Sequence, residues 1–279
     1  MYNAAVDSDA RFTVLLAEPE QLRLADIAKA LSAFKNIPYQ DAARAARSAW
    51  GIVAESLEES EARNLADCLT ASGLKAMTLP RSAVEAIPAA FTAAKAEFGA
   101  DGFRAISKSG EAAALPGDEI ILIAAAGFER TTTATTKVRE GPSSNQKAAS
   151  LGLMMMTGLP ISIGGKEREV EKSRTETDLL FYLELYLGKP LKRFRIDAQN
   201  FNFACLGEKM AHGVYPNFRT LLAELNLRAP HAGKNKGSRL MLQGASLAAM
   251  GYDSLEDLER ECRWLLTLKF LKETQERNH

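Results

Sequence analysis

An α+β fold is the class this sequence predicts, and three patterns predict it. Residues 12–80 switch between short apolar runs and helical spacing in the order strand, helix, helix, strand, helix, strand. From Phe103 onward, strand-like runs follow one another, separated by turn residues. The chain closes on a capped stretch whose apolar residues recur at helical spacing. These patterns give a small α/β sandwich over 12–80, a helical connector over 81–99, and a mostly antiparallel sheet domain with a C-terminal amphipathic helix over 100–274.

Phe12-Thr-Val-Leu-Leu16 is a short run of strand formers. Leu24, Ile27, Ala28 and Leu31 then repeat at helical spacing until Asn36-Ile-Pro38 breaks the pattern. A second helix starts at Gln40, with Ala42, Ala43, Ala45, Ala46 and Ala49 as small residues that let a neighbour approach closely. Trp50 to Ala54 reads as a strand. Ser60 to Ser72 reads as a helix with Leu65, Cys68 and Leu69 inward and Gly73 placed for a left-handed cap. Leu74 to Leu79 closes the module.

Those residues resemble the C-terminal domain of the bacterial ribosomal stalk protein, a fold shared with the Clp protease adaptor. The likeness rests on Phe12-Thr-Val-Leu-Leu16, Ile27-Ala-Lys-Ala-Leu31, Tyr39-Gln-Asp-Ala42, the strand Gly51 to Ala54, and Ala62, Leu65 and Leu69 within Glu55 to Gly73. No gap is needed from Ile27 to Ala76, and the match covers about a quarter of the chain. It implies a small sandwich that binds proteins. The family's basic face on its first helix is matched here by Lys29 alone; a neighbouring basic position holds Ser32.

Val84, Ile87, Phe91, Ala94 and Phe98 space as a helical connector. Phe103 to Ser107 alternates as a strand, Leu115-Pro-Gly-Asp118 forms a turn, and Glu119 to Phe128 is a continuous apolar strand. Thr131 to Thr136 reads as an extended strand or a loop, and Gly141-Pro-Ser-Ser144 as the start of a helix ending near Thr157. Arg168 to Arg174, Asp178 to Leu187 and Lys192 to Asp197 read as three strands. Asn217 reads as the cap of a helix through Phe218, Leu221, Leu222 and Leu225, and Arg239 to Leu242 as a final strand. Ser254-Leu-Glu-Asp257 has the capping-box pattern, and Leu255, Leu258, Cys262, Leu265 and Leu266 lie on one stripe. Antiparallel strands before such a helix are similar to a bacterial pleckstrin-homology-like domain, with Leu115 to Ile123 as the matching turn and strand; an unrelated α+β domain is the other reading.

The 279 residues are 46% hydrophobic and 25% charged, which suits two ordinary domains. Lys plus Arg and Asp plus Glu are both 35, so a general nucleic-acid or membrane-surface binder is not expected. The longest nearly charge-free apolar run, Leu151 to Ile163, is shorter than the ~20 residues a bilayer requires. Cys68, Cys205 and Cys262 form no CxxC pair and read as buried thiols of a reducing bacterial cytoplasm.

Enzyme signatures are sparse. His212, His231 and His279 make no HExxH or HxH motif. Gly164-Gly-Lys166 falls short of a phosphate loop because Pro160 and Glu167 stand where a glycine and a hydroxyl belong. A nucleophile would have to be Cys205 near His212 or His231, yet Cys205 sits in an apolar segment. Cations instead concentrate after Leu187. Arg193 and Arg195 share one strand face, and the loop Ala229 to Gly237 adds His231, Lys234 and Lys236, with Arg239 just beyond. These six read as an anionic-ligand site, or as cations that only solubilise the sheet. Met154, Met155 and Met156 read as a partner-binding or self-association face, or as core.

The expectation is therefore a non-catalytic protein-binding or adaptor protein without a cofactor or metal, whose partner contacts fall at Lys29 and Met154 to Met156. Recognition of an anionic ligand is the alternative, and a cysteine–histidine enzyme the third reading. A membrane span and nucleic acid are not expected; a homo-oligomer is left open.

Overall fold

The computed structural model describes residues 11–99, 102–140, 168–188 and 190–277. It is an α+β protein with mostly antiparallel sheets and a C-terminal helix. The chain divides into two compact units. One holds the described residues up to Phe128 and from Leu180 on; the other spans Glu129–Leu179. No helix among the described residues is long and apolar enough to cross a membrane.

Within the first unit, β1 (Phe12–Leu16), α1 (Leu24–Lys35), α2 (Tyr39–Arg47), β2 (Ile52–Leu57), α3 (Glu59–Ala71) and β3 (Ala76–Pro80) follow the order that the periodicity predicts. β1 is central in a sheet ordered β2-β1-β3, antiparallel on both sides. Its Val14, Leu15 and Leu16 are fully buried against Ile27, Leu31, Ala42, Ala46, Leu65 and Leu69. Asn36 ends α1 in the left-handed region, where a short amide side chain is tolerated. Glu58 and Glu61 form a capping box on α3, so both carboxylates serve the helix start. The β1–β2 register slips between Phe12 and Val14, and Ser56 has φ +61, the mark of a bulge. Next to that bulge, Glu55 pairs with Arg260 and Arg263 of the last helix.

The expected helix over 81–99 is corrected. Arg81–Ala83 is a single tight turn, and β4 (Ala90–Ala93) and β5 (Lys95–Phe98) follow. Pro88 removes a backbone donor and biases Ile87 towards extended geometry. Parallel pairing of Ala90–Ala93 with Arg193–Ile196 then outweighs the intrinsic helix propensity of the alanines. β5, β6 (Gly102–Ile106) and β7 (Ala112–Pro116) form an antiparallel meander.

β8 (Ile120–Glu140), β9 (Arg168–Leu187) and β10 (Lys192–Asp197) form the centre of a five-stranded sheet that β4 and β11 (Gly233–Lys234) complete, in the order β11-β8-β9-β10-β4. The two strands expected over 168–187 are one strand, and Thr131–Thr136 is part of β8. The helix expected before Thr157 lies outside the described residues. α4 (Val214–Arg228) starts before Asn217, whose buried side chain bonds both backbone groups of Ala211 instead of capping. Arg239–Leu242 is corrected from strand to helix: α5 (Lys236–Leu242) begins there because Asn235 caps it. α6 (Leu247–Met250) leads to α7 (Leu255–Arg277), whose Ser254–Asp257 capping box is present.

α7 is buried well beyond the single stripe its leucines suggest. Leu258, Cys262, Leu266 and Phe270 belong to the core of the large sheet. Trp264 and Leu268, on another side, belong to the core around β1. Trp264 donates from Nε1 to the Leu16 carbonyl at 2.7 Å. Its indole lies against Gly51, which has φ +86 and where any Cβ would overlap the ring. Gly51→Ala is therefore expected to destabilise the protein by about 2–5 kcal/mol, from left-handed strain plus overpacking. Gly110→Ala, at a similar φ of +88 with open space around it, should cost only about 1–2 kcal/mol. Urea unfolding of the two variants checks the difference; equal losses would remove the Trp264 contact as its cause.

Candidate anion-recognition site

The cation-rich loop Ala229–Gly237 is pinned from below by one buried polar network. Asn235 is fully buried. Its Oδ1 accepts from the backbone N–H of Ser238 at 2.8 Å and of Ala125 at 2.9 Å. Its Nδ2 donates to the Ala125 carbonyl at 2.9 Å and faces both Tyr252 Oη at 2.9 Å and Glu261 Oε2 at 3.0 Å. Tyr252 donates to Glu261 and accepts from the Gly237 N–H, and Glu261 Oε1 accepts from the Lys236 N–H at 2.9 Å. Gly237 runs so close to the Ala125 carbonyl that a side chain there would collide with it. A satisfied network of this kind fixes the backbone, so the cations of the loop project from a rigid base.

Three of the six expected ligand-binding residues meet in one groove. His231, Lys234 and Arg239 line a groove of about 420 Å³ together with Lys269 and Lys272 of α7, over a floor of Ile121, Leu122, Leu265, Leu266 and Leu268. Glu20, Glu273 and Glu276 also reach it, so its cationic character is local rather than uniform. Lys234 Nζ turns towards the carbonyls of Ala232 at 3.1 Å and Pro230 at 3.4 Å. His231 Nε2 is 3.1 Å from the Asp118 carbonyl, and Arg239 donates to the Lys234 carbonyl at 3.0 Å. Lys269 lies 3.4 Å from Glu273. Lys272 is exposed and has no partner among the described residues.

The other three expected residues are elsewhere. Arg193 and Arg195 are spent on Glu184, which is fully buried, and on Glu259. Tyr186 donates to the same Glu184 carboxylate at 3.0 Å. For both arginines burial works against the charge, but the carboxylate bonds overcome it and raise the pKa. Donors held this way offer little to a ligand. Lys236 faces away from this groove, over the Trp50 ring. Lys29 stands exposed on α1, while Met154, Met155 and Met156 lie outside the described residues.

Lys269 and Lys272 are groove residues that sequence reasoning missed. Their i,i+3 spacing on α7 was the available signal. Nothing in the sequence links Asn235 to Glu261. Cys205 makes no hydrogen bond with His212 or His231 among the described residues, and burial raises its thiol pKa, opposite to the shift that activates a nucleophile. No group of three or more His, Cys, Asp or Glu among the described residues is arranged to hold a metal ion. No family model, curated protein or solved structure matches the chain.

Two carboxylates on α7 titrate in opposite directions. Burial raises Glu261, against the bonds from Tyr252, Lys236 and Asn235. Burial also acts to raise Glu259, but the bonds from Arg193 and Arg195 override it and the pKa is lowered. A carboxylate lowered on folding adds stability above its unfolded pKa and loses it as pH falls through the folded value. Glu259→Gln should thus cost about 1–2 kcal/mol at neutral pH, a buried-pair loss discounted because Glu259 is a third exposed. The cost should shrink as pH falls through the lowered pKa of Glu259. Urea unfolding at stepped pH measures this; a pH-independent difference would exclude the ion pairs as its source.

Proposed function

We propose that the chain is a non-catalytic recognition protein that takes an acidic segment of a protein partner into the groove between β11 and α7. The observation that carries this reading is the convergence of Lys234, Arg239, Lys269 and Lys272, with His231, around an apolar floor. Cations at the rim steer and orient an acidic chain, and the partly exposed Ile121 and Leu265 give its apolar side chains a surface to cover. A loop already held rigid loses little freedom on binding.

The resemblance of residues 12–80 to the stalk and Clp adaptor fold supports a protein as the partner, and exposed Lys29 offers that module a contact of its own. Three free cysteines support a reducing compartment, and on this reading the protein works in the bacterial cytoplasm.

Fluorescence anisotropy with a labelled Asp/Glu-rich peptide tests the proposal. Lys234→Ala, Arg239→Ala and Lys272→Ala should each weaken binding about two- to fivefold, as exposed charge contacts do, and affinity should fall as salt rises. Lys192→Ala, an exposed cation on β10 outside the groove lining, serves as the control. Affinity unchanged in all three groove variants would remove the groove as the binding site.

A further inference from the structure

Lys236 enters a second cleft, of about 260 Å³, that the groove does not include. Its side chain is half-buried, and Nζ lies 5.7 Å from the centre of the Trp50 ring. No carboxylate lies within salt-bridge distance of that ammonium group among the described residues; burial lowers its pKa, against the attraction of the Glu261 carboxylate. Arg47, exposed and also without a partner among the described residues, lines the same cleft. Trp50 is 4% exposed, and its Nε1–H is a buried donor with no acceptor. Its backbone φ is +43, in the left-handed region that a bulky residue rarely adopts. Stacking on Tyr252, at 4.2 Å between ring centres and 6° between planes, fixes the indole's orientation. Leu22 and Leu24 supply an apolar wall, and Asp253 stands exposed in the lining.

A half-buried ammonium, an unpaired guanidinium and the edge of a fixed indole around one small cleft with an apolar wall define a chemistry. We propose that this cleft binds a small organic monocarboxylate. Its carboxylate pairs with Lys236 and Arg47, and its apolar body lies against Leu22, Leu24 and the indole. The Asp253 carboxylate in the same lining disfavours a doubly charged anion, which separates a monocarboxylate from phosphate. The site is independent of the groove, and neither proposal rests on the other.

The test is a titration of the full chain with hexanoate and, in parallel, inorganic phosphate, followed by the ¹H–¹⁵N signal of the Trp50 indole. The Trp264 indole, bonded to the Leu16 carbonyl, is the internal control. Hexanoate should give a saturable shift of the Trp50 signal alone, and phosphate should bind more weakly. Lys236→Met should weaken hexanoate binding by about tenfold or more, the loss of a charge-assisted bond. Arg47→Gln should weaken it several-fold, and because Arg47 is exposed this variant decides the matter if Lys236→Met does not fold. Asp253→Asn should narrow the gap between hexanoate and phosphate. The proposal is overturned if hexanoate gives no saturable shift, if phosphate binds more tightly than hexanoate, or if Arg47→Gln binds hexanoate like the parent chain.

Discussion

A single helix has to satisfy two hydrophobic cores at once, and most of the first unit is arranged around that demand. α7 sends Leu258, Cys262, Leu266 and Phe270 into the core of the large sheet and Trp264 with Leu268 into the core around β1. From Asp257 to Leu271 none of its residues is exposed. A helix enclosed this far cannot keep an ordinary solvated polar face. Its polar residues must find partners in the protein, and they do: Glu259 with Arg193 and Arg195, Glu261 with Asn235 and Tyr252, Arg260 and Arg263 with Glu55, Thr267 with the Glu85 N–H. Backbone detail elsewhere follows from the same packing. Gly51 is the only residue type that leaves room for Trp264, and the β2 bulge lies beside the Glu55 that meets the two arginines.

The two glutamates two positions apart on α7 show how environment divides identical chemistry. Glu259 meets two guanidinium groups and remains partly open to water, so its charge is favoured. Glu261 accepts only from neutral donors, so its charge is penalised by burial even though Tyr252, Asn235 and the Lys236 N–H all bond to it. The first stitches the helix to the sheet through charge. The second organises a loop: its oxygens gather the Lys236 N–H, the Asn235 amide and the Tyr252 hydroxyl at one point.

The tertiary structure separates cations closed into ion pairs from cations that border open space. Arg193 and Arg195, the most suggestive pair in the primary structure, are closed into the fold by buried Glu184. Lys234, Arg239 and Lys272 border open space instead, and Lys236 occupies a cleft of its own. Charge density along a chain does not separate these roles. Arginines on a strand face and lysines on a loop look equally free until the carboxylates opposite them are known.

Local signals were enough for the βααβαβ order of residues 12–80, for the capping box of α7, and for His231, Lys234 and Arg239 as neighbours. Each depends on residues close in sequence, where periodicity and side-chain-to-backbone bonding act directly. The tertiary structure decided the rest. It turned 81–99 from helix to strands by giving the alanines a sheet edge at β10, and made 236–242 a helix because Asn235, held by a carboxylate 26 residues away, caps it. It assigned Arg193 and Arg195 to Glu259, more than sixty residues distant. The physical reason is common to all three: burial and pairing between distant segments outweigh intrinsic propensities of a few tenths of a kcal/mol to about 1 kcal/mol per residue, and no local pattern encodes which distant group will arrive.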